Sequence, residues 1–313
     1  MTRAERIKLK KGLLFTSPWI IGFLVFTLIP TVLSLYYSFC DYSLLQSPVF
    51  IGMKNYQSLF QDDVFKLSLW HTFEYALLSL PLGLVVSLAL ALLLNQKVPG
   101  QSYYRTIIFL PSLVPVVASA MLWLWLYNTK LGLINVVLDQ APFNYLIGGI
   151  NGLLGVLHLP KIDTPIGWLT DPSWALPALA FMSVWGVGQT VVIYLAGLQD
   201  VPKELYESAE LDGAKAFQRL INVTLPMISP VIFFNLIMAI IGTLQVFAVP
   251  FIMTGGGPAR ATYMYTQYLY DNAFQYLHMG YASAMAWIQL IIILALTGIA
   301  FWSSKRWVHY SNK

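Results

Sequence analysis

The chain has 313 residues, 58% of them hydrophobic and 10% charged, with a mean hydropathy of +0.66. Water-soluble domains carry about 25% charged residues, so this composition excludes a soluble enzyme or binding module and indicates a polytopic membrane protein. The formal net charge is +4 with a pI near 9.0, and without basic-aromatic interleaving in the loops that excess argues for membrane topology and lipid headgroups, not for nucleic acid.

A helix needs about 20 apolar residues to cross the roughly 30 Å hydrocarbon layer. Six uncharged stretches qualify: Leu13–Tyr37, Tyr75–Leu94, Thr106–Tyr127, Trp174–Leu198, Met227–Met253 and Tyr281–Ser304. The first follows a basic tail, residues 1–12, that holds Arg3, Arg6, Lys8, Lys10 and Lys11. A signal peptide also begins this way, but the stretch is longer than an h-region and no A-x-A site follows it. Phe39 before Cys40 is also too large for a lipoprotein site, so an uncleaved span is expected. A single cysteine allows no internal disulfide, and Cys40 reads as a small apolar filler.

His71 and Glu74 stand at the head of the second stretch, where an interfacial, solvated position is expected. Residues 128–173 read as an extracytoplasmic segment containing a short interfacial helix. Within it, 141–160 is long and apolar enough to raise a seventh span, but Asn144, Asn151, His158 and Gly148, Gly149, Gly152 and Gly155 weaken it as a lipid-exposed helix.

Loop lysines and arginines set orientation because they resist translocation. With both termini inside, thirteen of the 18 bases fall in inner segments, leaving only Lys54, Lys66, Lys130, Lys161 and Arg260 outside. The inner set includes Lys97, Arg105, Lys305, Arg306 and Lys313. This arrangement puts the loop of residues 200–226, between the fourth and fifth spans, on the cytoplasmic side.

That loop is the most charged part of the chain: five of the 14 acids and three of the 18 bases lie between Asp200 and Arg219. Pro202 suits a helix start, and Glu204 and Glu207 lie near the positive end of that helix. Leu205, Ala209 and Ala216 give a narrow face of small apolar residues. Gly213 permits a left-handed turn into a second short helix, Ala214–Val223, and Pro226 is expected to start the fifth span. Acids beside small residues suit a partner's arginines and close approach. A solvated connector that keeps the loop out of the bilayer is the plainer reading of such residues.

No G-x-x-x-x-G-K-[ST] occurs, so the chain lacks a P-loop phosphate cradle. The span interiors carry no Asp, Glu, Lys or Arg, unlike most ion-driven carriers. The histidines, His71, His158, His278 and His309, are too scattered for a metal or catalytic pair. The spans do hold polar and aromatic residues that lipid does not reward: Ser112, Ser119, Trp185, Gln189, Thr190, Asn235, Thr243, Gln245, Phe247, Trp287 and Gln289. Amides, hydroxyls and flat rings suit an uncharged sugar, although each alone also serves as interhelical glue or interface anchor.

The run Glu207-Ser208-Ala209, three residues, Gly213, nine residues, Val223-Thr224-Leu225-Pro226 closely resembles the cytoplasmic coupling signature of permease subunits of binding-protein-dependent ABC importers. Ser208 replaces an alanine of the pattern and Val223 an isoleucine. Phe109-Leu110-Pro111-Ser112-Leu113-Val114-Pro115, Leu244-Gln245-Val246-Phe247, Thr254-Gly255-Gly256-Gly257-Pro258 and Gly280-Tyr281-Ala282 resemble the carbohydrate, maltose-type branch, so the likeness covers about residues 13–305. The resemblance implies an all-α, six-span transmembrane domain over 13–305, followed by a cytoplasmic tail, 306–313, in a prokaryotic inner membrane. It implies ATPase coupling through Glu204, Glu207, Ser208, Ala209, Asp212 and Gly213. It implies sugar contacts at Ser112, Trp185, Gln189, Thr190, Thr243, Gln245 and Phe247. Its implied partners are a second, paralogous permease, two ATPase subunits that bind ATP-Mg, and an extracytoplasmic solute-binding protein. No cofactor or metal is expected in this chain. An ion-coupled sugar carrier and a non-transporting scaffold remain as alternatives.

Overall fold

The computed structural model describes residues 3–96, 99–140, 142–156 and 164–309. Lys97, His158, Lys161 and Lys313 lie outside the described residues, as do the two ends of the 141–160 stretch. The described chain is mostly helical, with one antiparallel pair of two-residue strands, Cys40–Asp41 and Val49–Phe50. Four helices are long and apolar enough to cross a bilayer: Lys10–Ser38, Asp63–Leu94, Ser229–Met253 and Met279–Ser304. Two further pairs meet the same test only as broken units. Gln101–Leu113 and Val116–Leu126 are bent by 99°, and Pro172–Gly186 and Gly188–Gln199 by 50°.

The second helix corrects the sequence reading. It begins at Asp63, not Tyr75, so His71 and Glu74 sit within the helix and not at its head. Asp62 explains the early start: its Oδ1 accepts the backbone N–H groups of Val64 at 2.8 Å and Phe65 at 3.3 Å, satisfying donors that a helix start leaves unpaired. The third stretch is likewise not one continuous helix. Pro115 disfavours helical geometry at Val114, which is extended with ψ 130°, and the helix restarts in a new direction. Between the third and fourth stretches, Leu133–Leu138 and Phe143–Val156 are helical.

The chain divides into two compact units, Met1–Phe65 with Tyr268–Ile292, and Lys66–Gln267 with Ile293–Lys313. In the first, Trp287 donates to Ser34 Oγ at 3.2 Å, tying the last long helix to the first. A Cβ on Gly280 would stand 2.0 Å from the Cys40 carbonyl oxygen, so only glycine admits that approach. The second unit has two buried clusters. One gathers Trp123, Tyr127, Leu179 and Met264; the other gathers Tyr194, Leu198, Val201 and Ile228. Large apolar side chains nevertheless face outward along the long helices, including Phe15 at 89% and Phe26 at 81% exposure, as a lipid-facing surface requires.

Candidate translocation path and coupling elbow

Three of the apolar helical stretches break in the second unit, and all seven candidate sugar contacts lie within three residues of a break. The third stretch tightens at Leu110–Leu113 and stops at Val114. The fourth tightens at Val184–Gly186 and restarts at Gly188 after Val187. The fifth ends its first limb at Leu244 and resumes at Ala248, with Gln245 at φ −103° and Phe247 at φ −138°. A helix end leaves backbone N–H and C=O groups without intrahelical partners, and in a bilayer these require polar company.

The breaks adjoin one another. Gly188 is buried against the third stretch: a Cβ there would stand 2.8 Å from the Ile108 carbonyl oxygen, 3.0 Å from Phe109 Cα and 3.1 Å from Ser112 Oγ. This brings Ser112 beside the Gly188–Gln189 step. Ser112 donates to the Phe109 carbonyl at 2.7 Å, and Gln189 is exposed while Thr190 is half-buried. Trp185 sits edge-on to Trp123, with ring centroids 6.3 Å apart. Val246, between Gln245 and Phe247, packs against the same Trp123 cluster, and the limb Ala248–Met253 lies along Val116–Leu126. Gln245 is exposed, and Phe247 stacks on Phe251 at 5.0 Å.

Thr243 stands apart from this group. Its hydroxyl donates to the Ala239 carbonyl at 2.8 Å, and the cavity of about 340 Å³ that it lines is walled by Phe73, Leu77, Leu296 and Ile299. Its polar atom is committed to its own helix, in apolar surroundings.

The charged loop forms a two-armed elbow. Its first helix is Lys203–Leu211, with Pro202 at the N-cap, one position before the first turn that the sequence suggested. At the other end Gly213 has φ +75°. Gly213 N–H bonds the Glu210 carbonyl at 3.0 Å and Ala214 N–H the Ala209 carbonyl at 2.9 Å, the paired bonds of a Schellman ending. A β-carbon at Gly213 would meet no other atom, so its torsion, not crowding, calls for glycine.

The second arm is shorter than Ala214–Val223: it is helical at Ala216–Arg219 and continues in a wide turn, Leu220–Thr224. Nor does Pro226 start the fifth long helix. It lies in the short turn Leu225–Met227, and that helix begins at Ser229, with Pro230 in its first turn. The arms are tied by Tyr206 and Thr224, whose hydroxyls lie 3.0 Å apart, and by an Arg219–Glu210 ion pair.

Glu204, Glu207, Ser208 and Asp212 are exposed, and Ala209 is half-buried. Among the described residues Glu210 alone of the elbow's acids takes an ion-pair partner within the chain. Leu211 is 91% exposed and Phe217 70%, two large apolar side chains in the charged loop. Sequence reading passed over both, although an apolar residue inside a charged loop is itself the signal.

Residues 79–309 match the family of binding-protein-dependent transport system inner membrane components. The chain belongs to that family. Its members are permeases, transport subunits of the inner membrane, and ATP hydrolysis belongs to a separate chain. This permease is 40% identical to the probable ABC transporter permease protein YesP of Bacillus subtilis, over 96% of this chain and 93% of that one. It is 31% identical to the trehalose/maltose transport system permease protein MalF of Thermococcus litoralis, over 92% and 91%. Among solved structures, a bacterial alginate ABC transporter in complex with alginate pentasaccharide-bound periplasmic protein contains a chain of the same fold. The TM-score is 0.75 at 26% identity, covering 96% of both chains.

Proposed function

We propose that this chain is one of two permease subunits of an ATP-driven importer for neutral mono- or oligosaccharides. The observation that carries the reading is the meeting of three helix breaks that bear Ser112, Trp185, Gln189, Thr190, Gln245 and Phe247, in a chain without a P-loop. Discontinuous helices in transporters use freed backbone groups and nearby amides to hold solute at mid-membrane depth. Here the side chains beside the breaks are uncharged, which suits a neutral polyol. Thr243, whose hydroxyl is spent on its own helix, contributes less.

The proposed topology has six spans, with both termini and the elbow cytoplasmic, in agreement with the distribution of bases. A second permease, paralogous to this one, completes the path. Two ATPase subunits carry ATP-Mg and dock on the two elbows, and an extracytoplasmic binding protein delivers the sugar. At this elbow Glu204, Glu207 and Asp212 offer carboxylates to ATPase arginines. Ser208 and Ala209 permit close approach, and Leu211 and Phe217 fill apolar sockets. The Schellman turn at Gly213 keeps the two arms at a fixed angle, so a push on the tip is transmitted to the helix that begins at Ser229.

Reconstitution with its partner subunits and labelled saccharides tests this. Gly213→Pro and Glu207→Lys are expected to abolish sugar-stimulated ATPase activity and uptake while leaving the amount of membrane-inserted protein unchanged. Normal uptake in both variants would refute the coupling role.

A further inference from the structure

The first unit contains a pocket of about 410 Å³ that the transport reading does not use. It is lined by four tyrosines, two aspartates (Asp41 and Asp62), Asn55, Asn272, His278 and Cys40, and among the described residues no lysine or arginine lines it. The charge of its walls is one-sided, carried by two carboxylates, and several of its donors are already spent. Asn55 spends both amide hydrogens on the carbonyls of Ser38 and Cys40, each at 2.9 Å. Asn272, only 4% exposed, donates to the Tyr268 carbonyl at 2.9 Å. Tyr268 and Tyr281 both donate their hydroxyls to Asp62 Oδ2, the second at 2.6 Å.

What the walls retain for a ligand is the Asp41 carboxylate and two amide oxygens as acceptors, beside the Tyr42 and Tyr276 hydroxyls and the His278 ring, which can donate or accept; among the described residues the only full charges are carboxylates. Burial works to raise the Asp62 pKa, but the hydroxyls of Tyr268 and Tyr281 and the N–H groups of Val64 and Phe65 outweigh it and hold the carboxyl below its ordinary range. Asp62 is thus ionised at neutral pH and adds negative charge behind the tyrosines. A neutral polyol would leave the charge of the two carboxylates unbalanced. An anionic sugar would meet two carboxylates. A guanidinium or ammonium group only donates, carries the complementary charge, and is attracted to tyrosine faces.

We propose that this pocket binds a guanidinium or primary ammonium group, at a site separate from the helix breaks. On the topology proposed above the pocket opens on the extracytoplasmic side, so the group comes either from an arginine or lysine of the docking binding protein or from a free amine. The pocket chemistry itself does not depend on that topology.

The test uses the full chain in nanodiscs and N-acetyl-arginine amide as the probe, with N-acetyl-citrulline amide as its uncharged isostere and maltose as a neutral polyol. The arginine probe is expected to bind at least about tenfold more tightly than either control. Asp41→Asn should weaken it about fivefold and Asp41→Lys should abolish it. Asp41 is an exposed strand residue, so neither change should shift the thermal midpoint. Equal binding of the citrulline probe, tighter binding of maltose, or indifference to both Asp41 variants would overturn the proposal. In the assembled importer, suppression of binding-protein-stimulated ATPase activity by the arginine probe assigns the cation to the docking protein. Unchanged stimulation, with the probe still bound, assigns it to a free amine.

Discussion

Gly188→Ala is the sharpest perturbation of the contact between the third and fourth stretches. A Cβ at 2.8 Å from the Ile108 carbonyl oxygen and 3.0 Å from Phe109 Cα meets main chain, so the two limbs must separate by several tenths of an ångström to admit it. Overpacking of this kind costs about 1–3 kcal/mol, offset by up to about 1 kcal/mol because alanine is the better helix former. The net loss is about 1–2 kcal/mol, which lowers the thermal midpoint by about 1.5–3 °C at this chain length. Gly186→Ala is the matched control, since a Cβ there meets nothing within 4 Å. Thermal unfolding in nanodiscs and sugar uptake should both separate the two variants. Gly186→Ala should keep its midpoint and its transport, whereas Gly188→Ala should lose stability and displace Ser112 from the Gln189 step. Equal behaviour of the two would refute the close approach and with it the convergence of the breaks.

The elbow and the Asp62 cap give further expectations. Leu211→Gln should leave stability within about 0.5 kcal/mol, because the side chain is 91% exposed, yet weaken ATPase docking in a pull-down; undiminished docking would remove Leu211 from the coupling surface. Tyr206→Phe deletes the hydroxyl 3.0 Å from Thr224 and should cost about 1 kcal/mol, read as faster amide exchange over Lys203–Leu211. Unchanged exchange would mean that the arms are held by other contacts. The lowered pKa of Asp62 makes its stabilisation complete above the value of an unfolded aspartate, about 3.9, and lost as pH falls through the lower folded-state value. Acidification below about pH 4 should therefore loosen the start of the helix at Asp63 in the wild-type chain. Asp62→Asn should show that looser start already at neutral pH and little further change on acidification, and a full acid transition in the variant would contradict the assignment.

The elbow was largely legible in sequence because its determinants are local. Pro202 and Gly213 fix its first helix within eleven positions of one another, and the acids between them report their own exposure. The start of the fifth long helix was less legible, since both Pro226 and Pro230 satisfy the preference for proline in a first turn and only packing at buried Ile228 and Ser229 selects the second. Hydropathy located the six apolar stretches but could not show that the third turns through 99°, because a bent and a straight apolar helix have the same composition. Lys66 and Glu74 hid the first turns of the second helix, as exposed charges read as loop when the length of a helix is judged by apolar residues alone. Asp62 gave no signal at all. Its tyrosine partners lie 206 and 219 residues away in sequence, and no local periodicity encodes such a contact.

Uptake of labelled sugar into proteoliposomes tests the central claim, that an uncharged path through three broken helices is moved from outside by the elbow. With partner permease, ATPase subunits and binding protein present, uptake should require ATP and disappear in Glu207→Lys, and the isolated chain should carry no sugar under a proton or sodium gradient. Gradient-driven uptake by the isolated chain, without ATP, would contradict the account.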